Sequence, residues 1–161
     1  MKKNEGLTLI ELVVVIAIMS VLVGLVGLSV SVLSRQKVSN AASDVKGLLQ
    51  TAQTIAMSKK SCYVEIKSDS DGVTFTTYTY TKDDRSDKKF MDKVTIGDQI
   101  SVYVKAAGAS SFTAVGSSAI EIKYKRENGA FTDDTIQEIM FSKGTKDVTL
   151  RLTKLTGKVS Y

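Results

Sequence analysis

Between residues 12 and 33 no side chain is charged. A helix of these 22 residues, at about 1.5 Å of rise per residue, is about 33 Å long and reaches across a hydrocarbon layer of about 30 Å. From residue 35 to 60 the pattern changes. Val38, Ala41, Val45, Leu48, Ala52 and Ile55 recur at steps of three and four, and Ala42, Leu49 and Ala56 widen the stripe. Gln36, Asn40, Lys46, Gln50 and Gln53 occupy the other face. The spacing predicts that the same helix continues to residue 60, now amphipathic, with a stripe broad enough to pack against a sheet. Lys59 and Lys60 suit a helix C-terminus, where the backbone carbonyls carry partial negative charge.

Past Cys62 the texture becomes β-rich. Residues 63–67 alternate, 68–72 (Ser-Asp-Ser-Asp-Gly) read as a turn, and 73–81 return as a strand rich in Thr, Tyr and Phe. Thr76 and Thr77 break the alternation between Phe75 and Tyr78, which predicts a bulge there. Residues 82–92 read as a charged loop, 94–105 as a strand interrupted at Gly97 and Asp98, and 106–118 as a flexible loop of small polar residues. Residues 119–125 alternate again, with Ile120, Ile122 and Tyr124 on one face, and Asn128-Gly129 marks a turn. Residues 136–142, 148–153 and 158–161 are the last strands. A long helix followed by antiparallel strands gives an α+β fold, a helix half transmembrane and half amphipathic, packed on an antiparallel β-sheet head. The implied organisation is a leader at 1–6, an apolar helix at 7–34 and a soluble head at 35–161, its helical part ending at 60 and its β part starting at 62.

One carboxylate, Glu11, stands just inside the apolar run, after Lys2, Lys3 and Gly6. In lipid it costs about 2.5–3.5 kcal/mol on the most lenient scale. A plain anchor gains nothing from it, whereas a helix that later pairs Glu11 with a positive group does. Cutting the chain after Gly6 frees an amine on Leu7, one turn from Glu11 or facing a neighbouring copy. An ordinary secretory signal has an apolar region of about 7–15 residues and a cleavage site beyond it, so this run is too long. A single-pass anchor with an incidental glutamate is the plain alternative.

Gly6 followed by Leu7-Thr8-Leu9-Ile10-Glu11-Leu12 and an uncharged helix closely resembles the class III signal of type IV pilins and pseudopilins. Many members have Phe where this chain has Leu7. The resemblance implies cleavage between Gly6 and Leu7 by a prepilin peptidase and methylation of the Leu7 amine. It also implies pairing of Glu11 with the amine of another subunit during filament assembly, and no catalytic activity. Residues 122–124 leading into Asn128-Gly129-Ala130, then 139–141, 148–150 and Thr156-Gly157-Lys158-Val159, are similar to GspH/FimT-type minor pilins, which favours a minor subunit over the major one. Gly24 and Gly27, with Ser20, Ser29 and Ser31, allow either tight helix packing in a filament core or plain tolerance of glycine in a membrane helix. With no proline in the chain, this helix lacks the proline kink that many pilins have.

The formal charge is +5; loss of Lys2, Lys3 and Glu5 with the leader lowers it by one, to +4. That permits an anionic partner without demanding one. Lys2 and Lys3 place the N-terminus in the cytoplasm by the positive-inside rule, hence the head outside, first on the cytoplasmic membrane and then on a surface filament. The partners implied are the peptidase, other pilin subunits and membrane lipid. The absence of histidine excludes Ser-His-Asp and Cys-His catalysis and removes the commonest transition-metal ligand; no cofactor is implied. Cys62 is the sole cysteine, so no internal disulfide forms; it reads as a small buried residue, with a reactive or intermolecular thiol as the alternative. Asp69 and Asp71 by Gly72 are oxygen donors suited to Ca²⁺ but lack the distal glutamate of a full loop and read as a polar turn; Asp83, Asp84 and Asp87, interleaved with Lys82, Arg85, Lys88 and Lys89, read as a solvated charged loop. Lys143, Lys146, Arg151, Lys154 and Lys158 against Asp147 alone would contact DNA phosphates if the last strands gathered them on one edge. Some FimT-like minor pilins are similar in using a basic C-terminal region for DNA uptake.

Overall fold

A computed structural model describes residues 8–58, 60–82, 84–97, 99–132 and 136–161; the side chains of residues 24–33 lie outside this description. A single helix, α1 (Leu9–Met57), precedes all the strands. The chain divides into two compact units, Met1–Ser34 and Arg35–Tyr161.

In the second unit the predicted stripe is the buried one. Val38, Ala41, Ala42, Val45, Leu48, Leu49, Ala52 and Ala56 are all buried, and Ile55 is partly buried against them. The helix stops at Met57, short of the expected residue 60. The amide of Ser58 donates to the carbonyls of Thr54 and Ile55 (3.1 Å each), and its hydroxyl donates to Ile55 (2.6 Å), so the final carbonyls are met without further turns. Lys59 lies outside the described residues, and Lys60 follows the helix rather than capping it.

Nine strands follow, in two antiparallel sheets. They are β1 (Ser61–Asp69), β2 (Gly72–Tyr80), β3 (Lys89–Gly97), β4 (Ser101–Lys105), β5 (Thr113–Ala114), β6 (Ile120–Lys123), β7 (Glu138–Lys143), β8 (Lys146–Thr153) and β9 (Lys158–Ser160). One sheet has the order β3-β2-β1-β6 and the other β5-β4-β7-β8-β9. Cys62, Val64 and Ile66 of β1, Phe75 of β2 and Ile122 of β6 join one core with Val104, Ile139, Phe141 and Leu150 of the other sheet and with the helix stripe. Phe75 and Phe141, with ring centroids 6.2 Å apart, tie the two sheets together inside it.

Two expected loops need correction, and two expected breaks are found. The expected loop at 82–92 ends earlier, because β3 starts at Lys89. Its first five residues are all exposed, so they show no alternation to read. The interruption expected at Gly97 in the strand 94–105 is present and complete: β3 ends at Gly97 and β4 begins at Ser101 in the other sheet, and Asp98 lies outside the described residues. The expected loop at 106–118 contains β5, which covers the edge of β4 with two residues. The bulge expected between Phe75 and Tyr78 is present: register shifts between Thr77 and Tyr78, where the partner strand skips from Asp92 to Phe90.

Helix and sheet approach closely because the stripe is rich in alanine. The Cys62 thiol donates to the carbonyl of Ala52 (3.1 Å) and the Tyr124 hydroxyl to that of Leu49 (3.0 Å). Burial pushes the Cys62 thiol up to about 12, which leaves it neutral and unreactive at physiological pH. At the helix end, the Gln53 amide donates to the carbonyl of Thr156 (2.8 Å). Here the Asn128-Gly129 and Thr156-Gly157 turns stack on each other. A Cβ on Gly157 would lie 2.0 Å from the carbonyl oxygen of Gly129 and 2.6 Å from Nε2 of Gln53.

Gly157→Ala is therefore expected to cost about 3 kcal/mol or more, from the left-handed backbone (φ +65°) and the clash together. Gly144→Ala has a similar φ of +63° but nothing within 4 Å, and is expected to cost only about 1–2 kcal/mol. Urea unfolding of the full chain in detergent, compared for the two variants, checks this difference.

Candidate functional site

The beginning of α1 is built by four residues. Thr8 precedes the helix, and its carbonyl accepts the first helical bond, from the amide of Leu12 (3.2 Å). One oxygen of the Glu11 carboxylate accepts from the Thr8 amide (2.8 Å) and from the Thr8 hydroxyl (2.9 Å), and the Glu11 amide donates back to that hydroxyl (3.4 Å). This is a capping box, Thr-x-x-Glu, in which two amides otherwise without helical partners are satisfied reciprocally. The signal was legible in Thr8-Leu9-Ile10-Glu11 and gives Glu11 a local role beside the pairing expected of it. Gly6 and Leu7 lie outside the described residues, as do Lys2 and Lys3.

Beyond the box, α1 presents apolar side chains on every side. Leu9, Ile10, Leu12, Val13, Val14, Val15, Ile16, Ile18, Met19, Val21, Leu22 and Val23 are between 45% and 81% exposed. Ser20 donates to the carbonyl of Ile16 (2.8 Å), so the polar atom in this stretch is satisfied within the helix. The backbone stays helical through Gly24 and Gly27; with Ser29 and Ser31, their side-chain surroundings lie outside the description. Among the described residues no helix is long and apolar enough to cross a membrane, since the described apolar side chains of the first unit stop at Val23.

The five basic residues of the C-terminal part are not gathered in one place. Lys143 and Lys146 face each other in register at the tip of the β7–β8 hairpin, and Lys143 donates to Gln99 (2.8 Å). Lys158 pairs with Thr153 at the opposite end of β8, next to the turn that holds Lys154. Seven steps of strand separate Lys146 from Thr153, about 23 Å. Arg151, between them, is held by Glu138 (3.3 Å), which also meets Lys105 (3.7 Å).

The acidic groups are engaged in turns. Asp69 accepts from the Asp71 amide (3.0 Å) and Asp84 from the Ser86 amide (3.0 Å). Asp87 accepts from the amides of Thr81 and Lys82 and from the Thr81 hydroxyl. Asp83 lies outside the described residues. Among the described residues no group of three or more His, Cys, Asp or Glu side chains is arranged to hold a metal ion.

A family model described as the prokaryotic N-terminal methylation motif matches residues 1–27. It is the class III signal of a structural, non-enzymatic protein family, and it supports a type IV pilin-like or pseudopilin subunit. No curated protein and no solved structure gives a significant match to the chain.

Thr8→Ala removes the hydroxyl that both donates to Glu11 and accepts from its amide. The expected result is fraying at the start of α1 worth about 1 kcal/mol, seen as roughly fivefold faster amide exchange over the first helical turn in detergent micelles, with the head unchanged.

Proposed function

We propose that this chain, carrying the class III signal, is a prepilin. It is cut between Gly6 and Leu7 by a prepilin peptidase, methylated on the Leu7 amine, held in the cytoplasmic membrane by residues 7–34, and assembled through that helix into a type IV pilus or pseudopilus. The observation that carries this reading is the first unit itself, with twelve large apolar side chains uncovered around a helix that admits one carboxylate at its start. Fully burying one such side chain yields about 1.5–3 kcal/mol. Lipid supplies that burial for the stored subunit, and neighbouring helices supply it in a filament.

Glu11 fits the transfer between the two states. Among the described residues its carboxylate accepts from neutral donors, the Thr8 amide and hydroxyl. A partner's Leu7 amine adds a full positive charge, and a charge-assisted hydrogen bond is about twice as strong as a neutral one. The subunit then gains from entering the filament what the carboxylate costs in lipid.

The finer assignment is to a minor subunit of the GspH/FimT type. Support comes from the two turns named in that resemblance, Asn128-Gly129 and Thr156-Gly157, which meet each other and Gln53 of the helix. A competence-type subunit that catches DNA is the second reading. It rests on the pair Lys143 and Lys146 at one hairpin tip, and the separation of the other basic residues limits it to a few phosphate contacts.

Two outcomes check these readings. Glu11→Gln is expected to be cleaved normally yet to fall at least about tenfold in sheared filaments, by immunoblot against the unaltered chain; equal incorporation contradicts the role of Glu11. In DNA titrations of the full chain in detergent, Lys143→Ala with Lys146→Ala is expected to weaken any binding uniformly across sequences and to lower the salt slope by about 2. An unchanged slope removes the DNA reading.

A further inference from the structure

The face of β1, β2 and β6 that turns away from α1 carries an unexpected burial. Tyr63 projects there, opposite to Cys62 and Val64, yet it is only 2% exposed. It stacks on Tyr78 at 5.4 Å and meets Tyr80 edge-on at 5.9 Å. The guanidinium of Arg85 covers it, 4.6 Å from the Tyr63 ring centre and 5.4 Å from that of Tyr80. Nη1 of Arg85 lies 2.6 Å from Oε1 of Glu121. The chemistry is that of a cation cage, with two aromatic faces giving quadrupole attraction and a carboxylate closing the third side.

Arg85 gives up backbone comfort to be there. Its φ is +55°, and among the described residues no other non-glycine residue has a positive φ. For an L-residue with a full side chain this costs about 1–2 kcal/mol, so the niche must return more than that. The niche does not need Arg85 in order to exist. Tyr63, Tyr80 and Glu121 sit on three hydrogen-bonded neighbours, with Ser61 opposite Tyr80, Tyr63 opposite Lys123 and Glu65 opposite Glu121. The sheet alone fixes their positions.

We infer that the Tyr63–Tyr80–Glu121 niche is a guanidinium-binding site, filled in this chain by its own Arg85, which latches residues 84–88 onto the sheet. The ligand class is a guanidinium cation, either an arginine side chain or a small guanidinium compound. A primary ammonium keeps the charge but lacks the planar, weakly hydrated group that suits an aromatic face.

The latch has a definite pH window. Glu121 is surrounded by Arg85 from the loop, Lys123 on its own strand (3.3 Å), and Glu65 and Tyr63 on β1. Burial raises its pKa, but the Arg85 hydrogen bond and charge, followed by Lys123, outweigh burial and leave it below the ordinary 4.5. A depressed carboxylate contributes its stability above the ordinary value and loses it as pH falls through the lowered one. The latch is thus closed above the ordinary carboxylate range and opens as pH falls through the lowered value.

The test uses the full chain in detergent micelles. With six tyrosines and no tryptophan, near-UV circular dichroism reports on these rings. Arg85→Ala is expected to change that signal, and ethylguanidinium chloride is expected to restore it saturably. Ethylammonium at the same concentration restores it less, and Arg85→Ala combined with Glu121→Gln does not respond. Failure of folded Arg85→Ala to respond saturably, or an equal response in the double variant, overturns the site. Independently, Glu121→Gln with Arg85 kept is expected to speed tryptic cleavage after Arg85 about tenfold; an unchanged rate overturns the latch even if Arg85→Ala does not fold.

Discussion

Everything in the head depends on how near the strands can come to α1. Alanines at 41, 42, 52 and 56 leave the helix backbone almost bare on one side. That is why a thiol and a phenol, Cys62 and Tyr124, reach helix carbonyls directly. Each carbonyl has a second lone pair beyond its helical bond, so these contacts satisfy buried polar atoms without disturbing the helix. Larger residues in the stripe would push both sheets outward and leave those two donors unpaired, at about 1–3 kcal/mol each. The same closeness at the helix end forces glycine at 157, where the Gly129 carbonyl occupies the space of a side chain.

The first half of the same helix obeys the opposite constraint. Over residues 9–23 its large aliphatic side chains are exposed all round. Among the described residues there, polar side chains are satisfied locally: Ser20 by Ile16, and Glu11 by Thr8. A helix that must change surroundings from lipid to neighbouring helices benefits from this self-sufficiency, because neither medium has to supply hydrogen bonds. Among the described side chains of this stretch, Glu11 is the carboxylate that can take a charged partner.

Where periodicity is long and one-sided, the residues disclose the structure. The stripe from Val38 to Ala56 was readable, and so was the alternation at Ile122 and Tyr124. The start of β3 was not, because Lys89 to Lys93 are exposed on both faces and an edge strand of that kind has the composition of a loop. The assignment of β3 and β4 to different sheets was hidden as well, since alternation tells which face is buried but not which sheet covers it. At the candidate site, the apolar run and Glu11 were legible from spacing and energetic cost. The capping role of Thr8 was present in the spacing and overshadowed by the charge argument. The Arg85 niche was not legible, because its members come from four separate segments that only the sheet register brings together.

The central claim is that this helix begins at a processed terminus, and N-terminal mass spectrometry of the chain from cells with and without prepilin peptidase tests it most directly. The account predicts a mature chain starting at N-methylated Leu7 when the peptidase is present, and an uncut chain when it is absent. A terminus at Met1 or Lys2 in peptidase-containing cells would contradict it and leave the first unit as a plain anchor for the head.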